Sequence, residues 1–241
     1  MRNTVCDDLQ YKGLKIHQYE DGYRFNSDSV LLANLSACRQ SDIVADLGAG
    51  SGVISILFSA KKKPEKIYAV EIQKEYYDLL LKNVEENGLN DSIVPILSDM
   101  KEFAKENAGK FDVVLSNPPY SKISEGLVGD REDVAIARQE IKINLKEVVE
   151  SAAKLLKYGG NFYVIYKAER LISLIQAMLK NNLTPKQIIT VSPKEGIACD
   201  TVIVYAKKGG KTEGLKMENL IVYNEKGEYT KKIKALYDIK D

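Results

Sequence analysis

Residues that commonly bind metals are scarce in this sequence of 241 residues. It has one histidine, His17, and three cysteines, Cys6, Cys38 and Cys199, which lie far apart in the chain. Because a metal site needs several ligands at close spacing, we expect no metal and assign His17 a structural or surface role. An odd number of cysteines without a pairing pattern favours a reducing compartment, so the cytoplasm is the predicted location.

The chain also lacks a strong charge and a long apolar segment. Its 35 basic and 34 acidic residues give a net charge of +1, so any nucleic-acid surface must be local. There is no run of 18 apolar residues and no basic leader before an apolar segment, which argues against a membrane span or a secretion signal. With 44% apolar residues, we expect a soluble protein with a sizeable core that is a monomer or a weak dimer.

Apolar runs alternate with helical patterns through most of the chain, which predicts an α/β fold with a doubly wound, mostly parallel seven-stranded sheet. Two runs without a helix between them, KQIITV and TVIVYAK, predict a terminal antiparallel hairpin. Pro95 predicts that its strand is an edge strand or a weak one, and LKEVVESAAKLLKYGG predicts a helix that ends at Gly159. We expect a single domain, composed of a lead-in (1–40), a core (41–206) and a basic extension (207–241).

A glycine-rich loop follows the first strand predicted in the core. The stretch ADLGAGSG places Asp46, Gly48, Gly50 and Gly52 where that strand passes into a helix. Glycines at such a turn allow the backbone to approach a ligand closely. The loop has the spacing G-x-G-x-G and lacks the G-K-[ST] of a phosphate-binding loop, which argues against triphosphate hydrolysis.

Two acidic residues end the next two predicted strands. Glu71 lies about 20 residues after the glycine loop, a spacing at which a carboxylate can accept both hydroxyls of a ribose. Asp99 ends the third strand, where a polar side chain can meet an adenine amino group. The adjacent Ile72 and Met100 belong to the same predicted cofactor site.

The stretch SNPPY ends the fourth predicted strand abruptly, because proline has no N–H for the sheet. The side-chain carbonyl of Asn117 and the backbone carbonyl of Pro118 can accept hydrogen bonds from an amino group. Pro119 helps to fix the backbone, and Tyr120 can stack on a base. We therefore predict that Asn117, Pro118 and Tyr120 are catalytic and that Pro119 and Tyr120 bind the substrate.

The combination of DLGAGSG, Glu71, Asp99 and NPPY resembles the class I methyltransferases that use S-adenosylmethionine. The resemblance implies a Rossmann-like fold, with the glycine loop holding the methionine part, Glu71 the ribose and Asp99 the adenine. Asp46 would support the loop and approach the ammonium group, and Asn117 would border the cofactor. The implied reaction is methyl transfer to a planar conjugated nitrogen, which is adenine N6, guanine N2 or a glutamine amide.

Three further stretches resemble the bacterial methyltransferases that modify N6 of adenine-37 in valine tRNA. They are YRFNSDSVLLANL, REDVAIARQE and the tail LIVYNEKGEYTKKIKALY. The first implies that Phe25, Asn26 and Asp28 border the cofactor pocket. The other two imply tRNA as the partner. Arg131 and Arg138 can contact its phosphates or pair instead with Glu132 and Glu140. Lys231 and Lys232 follow Tyr229 and combine charge with an aromatic surface, as RNA-binding proteins do.

Other functions stay open at this point. One is methylation of guanine N2 in ribosomal RNA, and another is methylation of a release-factor glutamine. The second is disfavoured because those enzymes carry a helical substrate domain, for which the 40 residues before the core are too few. A non-enzymatic alternative is a catalytically silent RNA-binding module with the same fold.

Overall fold

The computed structural model describes residues 2–21, 27–118 and 145–239. Before the core, β1 (Thr4–Asp8) and β2 (Lys15–Tyr19) form a separate antiparallel hairpin, and α1 (Ser27–Leu35) follows. The hairpin packs against the face of the helix that comes after the second core strand, through Asn83 and Asn87.

A central sheet of eight strands organises the described residues. They are β3 (Ile43–Leu47), β4 (Lys66–Glu71), β5 (Ile93–Leu97), β6 (Phe111–Ser116), β7 (Leu156–Lys167), β8 (Leu183–Ser192), β9 (Thr201–Lys208) and β10 (Lys216–Ile221). Their order is β10-β8-β9-β7-β6-β3-β4-β5, and every neighbouring pair is parallel except the two that involve β9.

Helices cover both faces of this sheet. The other α-helices of the described residues are α2 (Val53–Lys62), α3 (Lys74–Glu86), α4 (Met100–Glu106), α5 (Leu145–Leu155), α6 (Leu171–Lys180) and α7 (Lys231–Leu236). Successive residues of a strand point to opposite faces, so Val113 and Leu115 join one hydrophobic cluster with α1, α2 and α3. Val114 faces the other cluster, which includes residues of α4, α5 and α6.

The predicted doubly wound, mostly parallel sheet is confirmed, as is its hairpin of β8 and β9. Pro95 lies in β5, which is an edge strand as predicted. The strand count of seven is wrong by one, because β10 adds to the sheet beyond β8. Its residues are mostly exposed, so it lacks the apolar run on which the other strands were recognised.

The predicted end of α5 at Gly159 is also wrong. The helix ends at Leu155, and β7 begins at Leu156. Phe111 of β6 pairs with Leu156, whereas Val113 pairs with Asn161, so the intervening residues of β7 form a bulge. Gly159 and Gly160 therefore lie in an irregular part of β7 and do not end a helix.

Lys61, in the last turn of α2, joins three separate parts of the chain. Its ammonium group donates to the Asn34 side chain of α1 at 2.7 Å and to the Leu236 carbonyl at 3.0 Å. It also pairs with Asp238 at 2.6 Å and lies 4.4 Å from the ring centre of Tyr11. The side chain is only 11% exposed, so Lys61 fastens α1 and the C-terminal tail to the core.

Among the described helices, none has the length and apolar character needed to cross a membrane.

Candidate active site

Predicted cofactor and catalytic residues that the structure describes meet at one edge of the sheet, where the parallel strands β6, β3, β4 and β5 end side by side. Leu47 and Ser116 are partners across β3 and β6, and the Ser116 hydroxyl donates to the Leu47 carbonyl at 2.9 Å. Asn117, the residue after Ser116, therefore lies beside the glycine loop, since neighbouring strands are about 4.8 Å apart. Ligands of open α/β sheets bind at this edge.

The glycine loop has a backbone that other residues adopt only with strain. Gly48, Gly50 and Gly52 have φ angles of 75°, 55° and 95°. A Cβ atom added at Gly52 would lie 2.5 Å from Leu80 Cδ1, so the absence of a side chain there allows α2 to pack on α3. A Cβ atom at Gly48 or Gly50 would meet nothing within 4 Å, so these two glycines border open space.

Glu71 holds the glycine loop in place through its carboxylate. Its Oε2 accepts a hydrogen bond from the Gly50 N–H at 2.9 Å, and its Oε1 accepts one from the Gln73 N–H at 2.8 Å. Burial raises the pKa of Glu71, and these backbone hydrogen bonds oppose the shift. Each carboxylate oxygen can accept more than one hydrogen bond, so Glu71 can support the loop and bind a ligand hydroxyl at the same time.

Asp46 is fully buried at the end of β3. Its Oδ2 accepts a hydrogen bond from the Ser55 hydroxyl at 2.7 Å, whereas Oδ1 has no partner within the described part of the chain. The pKa of Asp46 is raised to about 7, mainly by burial and also by the nearby Glu71 carboxylate, although the Ser55 hydrogen bonds oppose the shift. Asp46 therefore anchors the first turns of α2, and Glu71 rather than Asp46 contacts the loop N–H groups.

The buried Asp46 makes stability depend on pH. In an unfolded chain an aspartic acid titrates near pH 4, so between about pH 4 and 7 only the folded protein keeps this proton. The stabilisation is complete below about pH 4 and is lost as the pH rises through about 7. We expect the melting temperature of the unchanged protein to fall, relative to Asp46→Asn, between pH 5 and 8.

Thermal melts of both proteins at several pH values measure this difference. Asp78→Asn, which removes an exposed carboxylate on α3, is the control and should leave the pH dependence of stability unchanged. Parallel curves for the unchanged protein and Asp46→Asn would contradict the prediction.

A solvent-open cleft lies between the glycine loop and the start of α4. It is lined by residues of strand ends and adjoining helices: Gly48, Val70, Ile72, Ser98, Asp99, Met100, Lys101 and Glu147. Ile72 is 51% exposed there, so an apolar side chain faces the opening. Asp99 caps α4 by accepting from the Lys101 N–H at 2.8 Å. The cleft thus offers both an apolar wall and carboxylate oxygens.

Asn117 is held in place by α1. Its side-chain Nδ2 donates to the Ser29 hydroxyl at 3.0 Å, a contact between residues 88 positions apart. Ser29 is 6% exposed, and Pro118, the next residue after Asn117, is buried. Because the amide donor is directed to Ser29, the carbonyl oxygen of Asn117 lies on the other side of the amide group.

The hairpin of β1 and β2 supports the glycine loop from behind. The fully buried Asn83 of α3 donates to the Ser51 carbonyl at 2.9 Å and to the His17 carbonyl at 3.0 Å. It also accepts from the His17 N–H at 2.7 Å. The Nε2 of the buried Gln18 lies 3.4 Å from the Ser51 hydroxyl. His17 therefore has a structural role, as its contact with Glu86 at 2.5 Å also indicates.

The remaining predicted site residues divide into three groups. Asp28 is buried in the first turn of α1, next to Ser29. Lys231 and Lys232 are exposed at the start of α7, and Lys232 pairs with Glu218 at 3.3 Å. The others lie outside the described residues: Phe25, Asn26, Pro119, Tyr120, Arg131 and Arg138.

Several residues of the site could not be identified from the sequence. Ser29 and Ser55 are common polar residues whose partners lie on other elements, so no local pattern marks them. Lys101 and Glu147 form an ion pair at 3.3 Å across the rim of the cleft. In the sequence, Lys101 lies just after a strand end, and Glu147 lies in the helix that follows NPPY. These positions are the only sequence features that connect the two residues with the site.

The model of a family described as the methyltransferase small domain matches residues 25–189. Two relatives are named tRNA1(Val) (adenine(37)-N6)-methyltransferase. The one from Flavobacterium johnsoniae is 27% identical over 158 residues, 65% of this chain and 66% of that protein. The one from Histophilus somni (strain 129Pt) is 25% identical over 206 residues, 80% of this chain and 86% of that protein. The match spans just under two thirds of the length of two flavobacterial relatives: 66% of the Flavobacterium johnsoniae protein and 65% of one from a Flavobacteriaceae bacterium.

Solved structures share the fold at low sequence identity. A protein described as a predicted O-methyltransferase from Agrobacterium tumefaciens has a TM-score of 0.69 at 21% identity, covering 88% of this chain and 95% of its own. TYW2 of M. jannaschii, solved in complex with AdoMet, has a TM-score of 0.59 at 19% identity, covering 86% of each chain.

Proposed function

Because the chain belongs to the methyltransferase small domain family, we propose that it transfers a methyl group from S-adenosylmethionine to N6 of an adenine in tRNA. The observation that carries the proposal is the position of Asn117, which lies at the end of β6 beside the glycine loop and is fixed by Ser29. The names of the relatives support adenine-37 of valine tRNA as the target.

The residues at this edge fit S-adenosylmethionine. The unpartnered Oδ1 of Asp46 suits an ammonium group, and the open space beside Gly48 and Gly50 leaves room for the ligand against the loop backbone. We assign the ribose hydroxyls to Glu71, and the adenine to the cleft wall of Ile72, Asp99 and Met100. When bound, the cofactor supplies an electrophilic methyl group.

Asn117 and Pro118 provide the chemistry that an exocyclic amino group needs. The nitrogen lone pair of such a group is delocalised into the ring, which makes it a weak nucleophile. Two carbonyl oxygens that accept its two N–H bonds favour a pyramidal nitrogen, whose lone pair then points out of the ring plane. The Asn117 side chain and the Pro118 backbone provide those acceptors. No strong base is required, since the proton leaves after the nitrogen has gained positive charge.

Rigidity is the main contribution of these residues. The Ser29 hydrogen bond fixes the Asn117 amide, and the ring of Pro118 fixes its own backbone φ angle. Acceptors that are positioned before the substrate arrives reduce the entropic cost of reaching the transition state.

In the same proposal, Tyr120 stacks on the target base, and Arg131, Arg138, Lys231 and Lys232 contact the RNA. The enzyme would act in the cytoplasm as a single domain.

The test is incubation of the protein with labelled S-adenosylmethionine and unmodified valine tRNA, followed by digestion to nucleosides. We expect label only in N6-methyladenosine, and none when the tRNA carries guanine in place of adenine-37. Label in N2-methylguanosine would show a different substrate. Binding of tRNA and cofactor without any turnover would indicate a silent module.

A further inference from the structure

A cluster of lysines lies at the edge of the sheet opposite the candidate active site. At this edge β6, β7 and β8 begin and the antiparallel β9 ends. We call it the lysine edge, and its basic residues are Lys154, Lys157, Lys186, Lys207, Lys208 and Lys211. Contacts around Gly209 and Gly210 show that these parts of the chain adjoin: a Cβ atom at Gly210 would lie 3.2 Å from Lys186 Cε and 3.3 Å from Lys207 Cβ.

Carboxylates neutralise little of this charge. Lys157 pairs with Asp112 at 2.7 Å. Lys186 and Lys208 instead donate to backbone carbonyls, Lys186 to that of Glu213 at 2.8 Å and Lys208 to that of Leu156 at 2.8 Å.

Such hydrogen bonds satisfy the donors but leave the positive charge in place. Within the described ranges, no carboxylate lies within 4.0 Å of Lys154 or Lys207. On a chain with a net charge of +1, this is a local positive field, and such a field attracts a polyanion.

An exposed aromatic ring lies among these lysines. Tyr158 is 79% exposed. Its hydroxyl donates to the Gly209 carbonyl at 3.1 Å, and a Cβ atom at Gly209 would lie 2.1 Å from the ring. The ring therefore packs directly on the glycine backbone in a fixed orientation, with most of its surface open to solvent. Aromatic platforms beside cationic groups are typical of proteins that bind unpaired nucleotides.

We propose that the lysine edge is a second RNA-binding surface, on which the lysines contact phosphates and Tyr158 stacks on an unpaired base. This inference rests on the proposed function, because it assigns the surface to the same tRNA. The six residues of β6 span about 20 Å at 3.3 Å per residue. That distance is short compared with a folded tRNA, so one molecule can contact both edges.

The test compares two charge-matched double variants. Lys154→Gln/Lys207→Gln alters the lysine edge, whereas Lys74→Gln/Lys82→Gln removes two exposed lysines of α3 that pair with Asp78 and Glu86. We expect only the first pair to weaken tRNA binding and to reduce the slope of log K against log salt by about one to two. The KM for tRNA should rise, while kcat and cofactor affinity stay unchanged.

The aromatic contact is tested separately. Tyr158→Leu should weaken tRNA binding by roughly 5- to 100-fold, and Tyr158→Phe should retain most of the affinity because the ring remains. Unchanged affinity and salt slope in the lysine-edge variants, or equal losses in the α3 control, would overturn the inference while leaving the proposed function intact. Failure of the unchanged protein to bind tRNA would overturn both.

Discussion

Replacing Asn117 by alanine is expected to lower the rate of methyl transfer by about 100- to 1,000-fold, the cost of removing one positioned polar group from a transition state. Affinity for S-adenosylmethionine should stay nearly unchanged, because the contacts that shape the cofactor cleft involve Glu71, Gly50 and Asp99 instead. Single-turnover kinetics with saturating cofactor measure the first quantity, and equilibrium titration measures the second.

Two further variants separate chemistry from positioning. Asn117→Asp keeps an acceptor at the same place and should lose less activity than Asn117→Ala. Ser29→Ala removes the hydrogen bond that orients the amide, and we expect a smaller loss, up to about 100-fold, from misplacement of the acceptor. Ser29→Thr restores a hydroxyl and should recover part of that loss. A loss of cofactor affinity in Asn117→Ala that matches its loss of rate would contradict this division of roles.

Replacing Glu71 by alanine is expected to weaken S-adenosylmethionine binding by about 10- to 100-fold, the range that corresponds to hydrogen bonds with a charged group. The loss has two physical sources. The variant lacks the proposed acceptor for the ribose, and it also leaves the Gly50 and Gln73 N–H groups without their carboxylate. The glycine loop should therefore be looser even before the cofactor binds.

Isothermal titration measures this loss, with kcat at saturating cofactor as the second readout. Glu71→Gln retains one acceptor oxygen and should be intermediate. Glu75→Ala is the control, since Glu75 is an exposed acid on α3 that pairs with Arg2. An unchanged cofactor affinity in Glu71→Ala, or a loss confined to kcat, would show that Glu71 acts elsewhere than in cofactor binding.

The core of the fold could be predicted because its signals are local. Strands such as β3 and β6 are short apolar runs buried on both faces, and helices such as α3 carry apolar residues at helical spacing. The glycine loop and NPPY interrupt those patterns at strand ends. Parallel strands of one sheet end at the same edge, so the positions of the glycine loop and NPPY at strand ends predict that these two motifs meet.

Other parts depend on contacts that no local pattern contains. The hairpin of β1 and β2 is anchored by Asn83 of α3 and by Asn87, which caps that helix, both more than 60 positions away. The strand β10 has few buried residues and is defined by its pairing with β8. Lys61 belongs to a run of three lysines, which usually face solvent, yet its burial depends on Asp238 and Leu236.

The contacts of Lys61 also affect the order in which the protein can mature. Lys61 and Asp238 are 177 positions apart, so their ion pair cannot form during synthesis until almost all of the described chain has been made. Until then the Lys61 ammonium lacks two of its three oxygen partners and keeps only the Asn34 side chain of α1. The same helix α1 carries Ser29, which orients the amide of Asn117, the proposed catalytic residue. One contact that holds the helix behind the proposed catalytic group therefore forms only after Asp238 has been synthesised.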